Sequence, residues 1–135
     1  MTNSFLNHFT NEITFESTID MKAIAEIETK LGFYLPDDYK EIVQVLNGFE
    51  GDVSNSYIMF WPVNELIELN EGYGVSEFAP GIFLFGSDGG NQAFGYDLRD
   101  NEMNIITIPF IVMDLDDIEM CGKDMNDFFK CLLND

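Results

Sequence analysis

Phe85-Gly-Ser-Asp-Gly-Gly-Asn-Gln-Ala-Phe-Gly-Tyr-Asp97 is the stretch on which the reading of the fold turns. Ile82-Phe83-Leu84-Phe85 leads into it as an apolar run too short for a helix, and Ala93-Phe94-Gly95-Tyr96 opens an aromatic run beyond it. The pattern is strand, tight loop, strand. Gly86, Gly89 and Gly90 give the backbone freedom to reverse, which leaves Ser87, Asp88, Asn91 and Gln92 crowded at one end of the sheet. Downstream, Asp97 to Glu102 is a polar turn and Met103 to Phe110 a third run, ended or moved to a sheet edge by Pro109. Three such runs in sequence predict an antiparallel meander.

Upstream of this core the periodicity is helical. Ser17-Thr18-Ile19-Asp20 has the form of a capping box, and Ala23, Ile24, Ile27 and Leu31 then fall on one stripe, stopped by Gly32. Leu35-Pro36-Asp37-Asp38-Tyr39 opens a second helix, with Pro36 suited to its first position, acids in its first turn, and Tyr39, Ile42, Val43 and Leu46 as its apolar face. Asn47-Gly48 ends it, and Phe49 to Val53 has the composition of an exposed loop. Tyr57 to Trp61 reads as a strand stopped by Pro62, Asn64 as the cap of a short helix over Glu65 to Leu69, and the interval to Pro80 as loop. After the acidic run Met113 to Glu119, Asp124-Met-Asn-Asp127 caps a final helix bearing Phe128, Phe129, Leu132 and Leu133. Residues 1–16 are poorly patterned: Phe5, Leu6 and Phe9 at helical spacing suggest a short helix, and Ile13-Thr14-Phe15 alternates like a strand. The expectation is one α+β domain over residues 1–135, with two N-terminal helices, a central meander and a C-terminal helix flanking an antiparallel-dominated sheet.

With 135 residues, 46% of them apolar and 13 of them Phe, the chain has a full core available, and disordered or collagen-like classes are excluded. Its charge is lopsided, 25 Asp and Glu against 6 Lys and Arg, for a formal net charge of -19. Such a field repels nucleic acid and anionic membranes and attracts basic partners. No run approaches the ~18 apolar residues of a membrane span, and the start lacks the layout of a signal peptide, so a cytoplasmic protein is expected. Cys121 and Cys131 fit reduced thiols; a disulfide between them is open but not required.

Chemistry-bearing motifs are sparse. His8 is the single histidine and stands in the unpatterned segment, which leaves no nucleophile–base pair and no zinc set with two cysteines ten positions apart. Asp114, Asp116, Asp117 and Glu119 cluster, but Ile118 and Met120 fall where a calcium loop needs polar ligands. Gly72-Tyr-Gly74 and the Gly86 to Gly90 loop lack the strand-to-helix setting and lysine of a phosphate cradle. No catalytic set, metal or cofactor is therefore expected. Trp61, the single tryptophan, is placed either in the core or at a rim on which a partner packs.

Taken in order, Leu35-Pro36-Asp37-Asp38-Tyr39-Lys40, Asn47-Gly48, Phe60-Trp61-Pro62 with Glu65-Leu66-Ile67, Phe85-Gly-Ser-Asp-Gly-Gly90 and Asp127-Phe128-Phe129 resemble the SUKH superfamily. The resemblance implies an antiparallel-dominated sheet flanked by helices, with Pro36, Tyr39, Gly48, Gly86, Gly89 and Gly90 as structural markers. For bacterial members it implies an immunity protein, not an enzyme, that binds and neutralises a toxin domain delivered between cells, often a nuclease. Other members are similar to regulatory scaffolds, which is the alternative reading. Where many relatives continue with glycine and then an acid, this chain has Gly89-Gly90-Asn91. Resemblance and charge together nominate a basic toxin as partner and Glu50, Asp52, Trp61, Glu71, Asp88 and Asn91 as its contacts.

Overall fold

In Asn47–Val53 every second residue turns inward: Asn47, Phe49, Gly51 and Val53 are buried, while Gly48, Glu50 and Asp52 are half-exposed. This period of two makes the segment a strand and not the exposed loop its composition suggests. Two glycines and two acids give it a turn-like composition, but the acids occupy the outward positions, where a sheet tolerates them. The computed structural model describes residues 13–53 and 56–133. The short helix expected around Phe5 to Phe9 lies outside the described residues.

Among the described residues seven strands form one sheet: β1 Thr14–Ser17, β2 Asn47–Val53, β3 Ser56–Phe60, β4 Ile82–Ser87, β5 Gln92–Asp97, β6 Ile105–Pro109 and β7 Glu119–Gly122. Each pairs antiparallel with the next in sequence, so the expected three-stranded meander extends across the described sheet. The helices are α1 Met21–Leu31, α2 Asp37–Val45, α3 Leu66–Gly72, the single turn α4 Val75–Phe78, and α5 Met125–Leu133.

Several local signals resolve differently from the expectation. Ser17 ends β1, and Asp20 caps α1 by accepting the Ala23 N–H at 2.8 Å. Pro36 is the extended residue before α2, not its first helical position. Asn64 caps nothing; its side chain accepts a hydrogen bond from the Asn47 carboxamide at 3.1 Å, and Pro62 leads into a 3₁₀ turn over Val63–Glu65. The interval before Pro80, expected as loop, contains α4. Asp124 does cap α5, accepting the Asp127 N–H at 2.8 Å.

β4 and β5 carry a bulge in which Leu84 faces Gly95 while Gly86 faces Phe94. The extra residue, Phe85, is pressed against Phe60 at 5.0 Å, Tyr96 at 5.0 Å and Phe128 at 5.9 Å between ring centroids. A side chain on Gly86 would collide with the Met59 carbonyl oxygen, so close backbone approach, not a left-handed turn, explains this glycine. Phe60 is the hub of the interior, with Phe49 at 4.4 Å and Tyr39, Phe128 and Phe129 also in ring contact. α2 supplies Tyr39, and α5 supplies Phe128 and Phe129.

Polar side chains close the places where strands part. After Phe60, β3 leaves β4; the Trp61 N–H still donates to the Phe85 carbonyl at 2.9 Å, and then the Asn70 carboxamide takes over. It accepts the Leu84 N–H at 2.8 Å and donates to the Leu84 carbonyl at 2.9 Å, standing in for the missing strand. Buried Asn47 likewise accepts the Val63 N–H at 2.8 Å and donates to Asn64 and to Ser17 Oγ. Buried Glu28 accepts the Leu35 N–H at 2.6 Å and pairs with Lys40 Nζ at 3.2 Å, fixing the link between α1 and α2.

Candidate functional site

The register of the first three strands places Thr14 opposite Glu50, Glu50 opposite Met59, and Asp52 opposite Tyr57. Since the inward neighbours Phe49, Val53, Ile58 and Phe60 fill the core, these residues share the outer face, with Glu16 reaching beside Gly48. The Tyr57 hydroxyl donates to the Glu50 carboxylate. That bond stabilises the protonated phenol, and with partial burial and the charges of Glu50 and Asp52 it pushes the Tyr57 pKa from 10.0 up to about 12. β1, β2 and β3 contain no lysine or arginine.

The outer face leads through Met59, opposite Ser87, into a cluster of rings. Trp61 stacks on Tyr73 at 5.7 Å and 15°, and Phe110 packs on Tyr73 at 4.8 Å and on Trp61 at 6.3 Å. Trp61 is 7% exposed and forms the floor, whereas Tyr73 is 44% exposed. With Met59, Ser87, Gly89, Gly90, Asn91 and Ile111 these rings line a cleft of ≈ 570 Å³. Beside it Ile111 and Val112 are 73% and 80% exposed, and Val112 has φ +55°, a conformation that branched residues rarely adopt.

Asn91 explains how that segment is held. Its carbonyl accepts the Phe110 N–H at 2.7 Å and its side-chain oxygen the Ile111 N–H at 3.1 Å, clamping the loop after β6 to the β4–β5 hairpin. Within the hairpin, Asp88 accepts the N–H groups of Gly90 at 2.8 Å and Gln92 at 3.2 Å, and Gly89 turns with φ +81°. Gly90 has no left-handed angle.

The six nominated contacts thus separate. Glu50 and Asp52 share the outer face, and Trp61 and Asn91 line the adjoining cleft. Asp88 opens on a second cleft with Ser56, Tyr57, Gln92, Cys121 and Cys131, and Glu71 lies on α3 beside a third, with Phe33, Ile67 and Phe83. Sequence reasoning missed Glu16, Tyr57, Met59, Tyr73, Phe110 and Ile111. Alternation in Tyr57-Ile58-Met59-Phe60 marks Tyr57 and Met59 as outward; Tyr73 stands in an interval without periodicity, so its meeting with Trp61 has no local signal.

Among the described residues, no three of His, Cys, Asp and Glu are grouped to hold a metal ion, and no helix is long and apolar enough to cross a membrane. Sequential antiparallel strands, with helices contributing to an aromatic interior, define the chain as an α+β meander domain. Residues 18–131 match the SMI1 / KNR4 family (SUKH-1), and the chain belongs to that family. Among curated proteins nothing matches it.

Proposed function

We propose that this protein is a toxin-immunity protein, acting by binding and not by catalysis, and that it docks a basic toxin domain on the outer face of β1 to β3. The observation that carries the reading is the coincidence of Glu16, Glu50 and Asp52 with Tyr57, Met59 and the Trp61–Tyr73–Phe110 cleft, on strands free of basic residues in a chain of net charge -19. Acids at the rim steer a cationic partner, and the rings supply the desolvated contact area that fixes it. Membership of a superfamily that includes toxin-immunity proteins supports the reading.

Co-expression with each toxin-like domain that sequencing finds encoded beside this protein's gene tests it: growth arrest should be relieved by this protein, and the absence of any such domain, or arrest equally severe with and without this protein, sinks the reading. The docking face is tested by reversing Glu50 and Asp52 to lysine. Association with the captured toxin at low salt should slow ~10-fold or more, while reversal of Glu68 and Glu71, both exposed on α3, should change it little. Equal effects from the two pairs would remove the assignment to this face. Co-purification of cellular proteins from toxin-free cells, with no protection, would instead favour a regulatory scaffold.

A further inference from the structure

Cys121 on β7 and Cys131 on α5 bring their Sγ atoms to 2.7 Å. Both pack in or against the hydrophobic core, where apolar side chains would serve as well, so packing alone does not call for two thiols in contact. Cys121 is buried and Cys131 half-buried, and both line the cleft of ≈ 300 Å³ that also presents Tyr57, Asp88, Gln92 and Glu119. A small reagent therefore has a path to the sulfurs, and bond formation needs a movement of under ~1 Å. The position is mechanically sensitive, because α5 carries Phe128 and Phe129 into the aromatic interior and is joined to β7 by a short turn.

We propose that Cys121 and Cys131 are a reversible dithiol–disulfide pair that, on oxidation by a small-molecule disulfide, fastens α5 to the edge of the sheet. The more accessible Cys131 thiolate attacks one sulfur of the oxidant, forming a mixed disulfide and releasing one thiolate. The Cys121 thiolate then attacks the Cys131 sulfur, closes the intramolecular bond and expels the second. Two electrons pass to the oxidant, and the two cysteine protons pass to the released thiolates. The crosslink shortens the free chain of the unfolded state and so holds the last helix in place.

The full chain, equilibrated in reduced and oxidised glutathione and then alkylated, tests this by intact mass and thermal melting. The expected product in oxidant is a monomer two hydrogens lighter, unalkylated at both cysteines, with Tm raised by about 5–10 °C and reversed by reductant. C131S and C121S should show no rise in Tm in the same buffer. Stable glutathione adducts, crosslinked dimers, full alkylation of both thiols in oxidant, or a rise in Tm that persists in C131S would each overturn the proposal.

Discussion

On β2 and β3 the inward residues Phe49, Val53, Ile58 and Phe60 are at most 1% exposed, while Glu50, Asp52, Tyr57 and Met59, one position away along the same strands, remain half-exposed. The inward set meets rings from α2, β4 and α5; the outward set meets acids and an open cleft. Folding dictates the first set, because apolar area removed from water is its main driving force. It does not dictate the second. An outward tyrosine bonded to a carboxylate, or the exposed Tyr73 stacked on the buried Trp61, adds little to a core already supplied with phenylalanine. The difference separates residues kept for stability from residues available for recognition, and substitutions on either side can break it.

The largest effect is expected at the hub. Phe60→Ala removes the ring shared by Tyr39, Phe49, Phe85, Phe128 and Phe129 and should cost ~3–5 kcal/mol in denaturant unfolding. A cost below ~1 kcal/mol would mean that the interior is not organised around it. Next comes the seam between the two regions. Asn70→Ala strips both hydrogen bonds from the Leu84 backbone and should cost ~1–3 kcal/mol, with faster amide exchange at Leu84. Unchanged exchange would show that the carboxamide does not replace a strand.

Much of the core was legible in the sequence, because Ile82 to Phe85, Tyr39 with Ile42 and Val43, and Phe128 with Phe129 carry their own periodicity. What escaped was set by tertiary partners. β2 was hidden by its two glycines and by acids, and only the pairing with β1 and β3 reveals that those acids point outward. Ser17 lost its expected capping role to Asp20 because it ends β1 and meets Asn47 across 30 positions. Asn70 has the look of a helix breaker, and only the departure of β3 from β4 gives it backbone groups to satisfy. The cleft escaped for the same reason, since Trp61, Tyr73 and Phe110 come from three separate segments.

The smallest expected effect lies on the outer face. Glu50→Gln keeps an acceptor for the Tyr57 hydroxyl but removes the charge, so stability near neutral pH should change by no more than ~0.5 kcal/mol. The tyrosine titration should move more visibly. In the native protein the Tyr57 pKa stands at about 12 against an ordinary 10.0, so the favourable term is full below pH 10.0 and is lost as pH rises to about 12. In Glu50→Gln one tyrosine should ionise closer to 10.0 in an ultraviolet absorbance titration, and stability should lose part of its decline across that alkaline window. If the substitution instead destabilised the protein as strongly as Phe60→Ala, Glu50 would belong with the residues that folding dictates, and the outer face would no longer be a surface free to serve a partner.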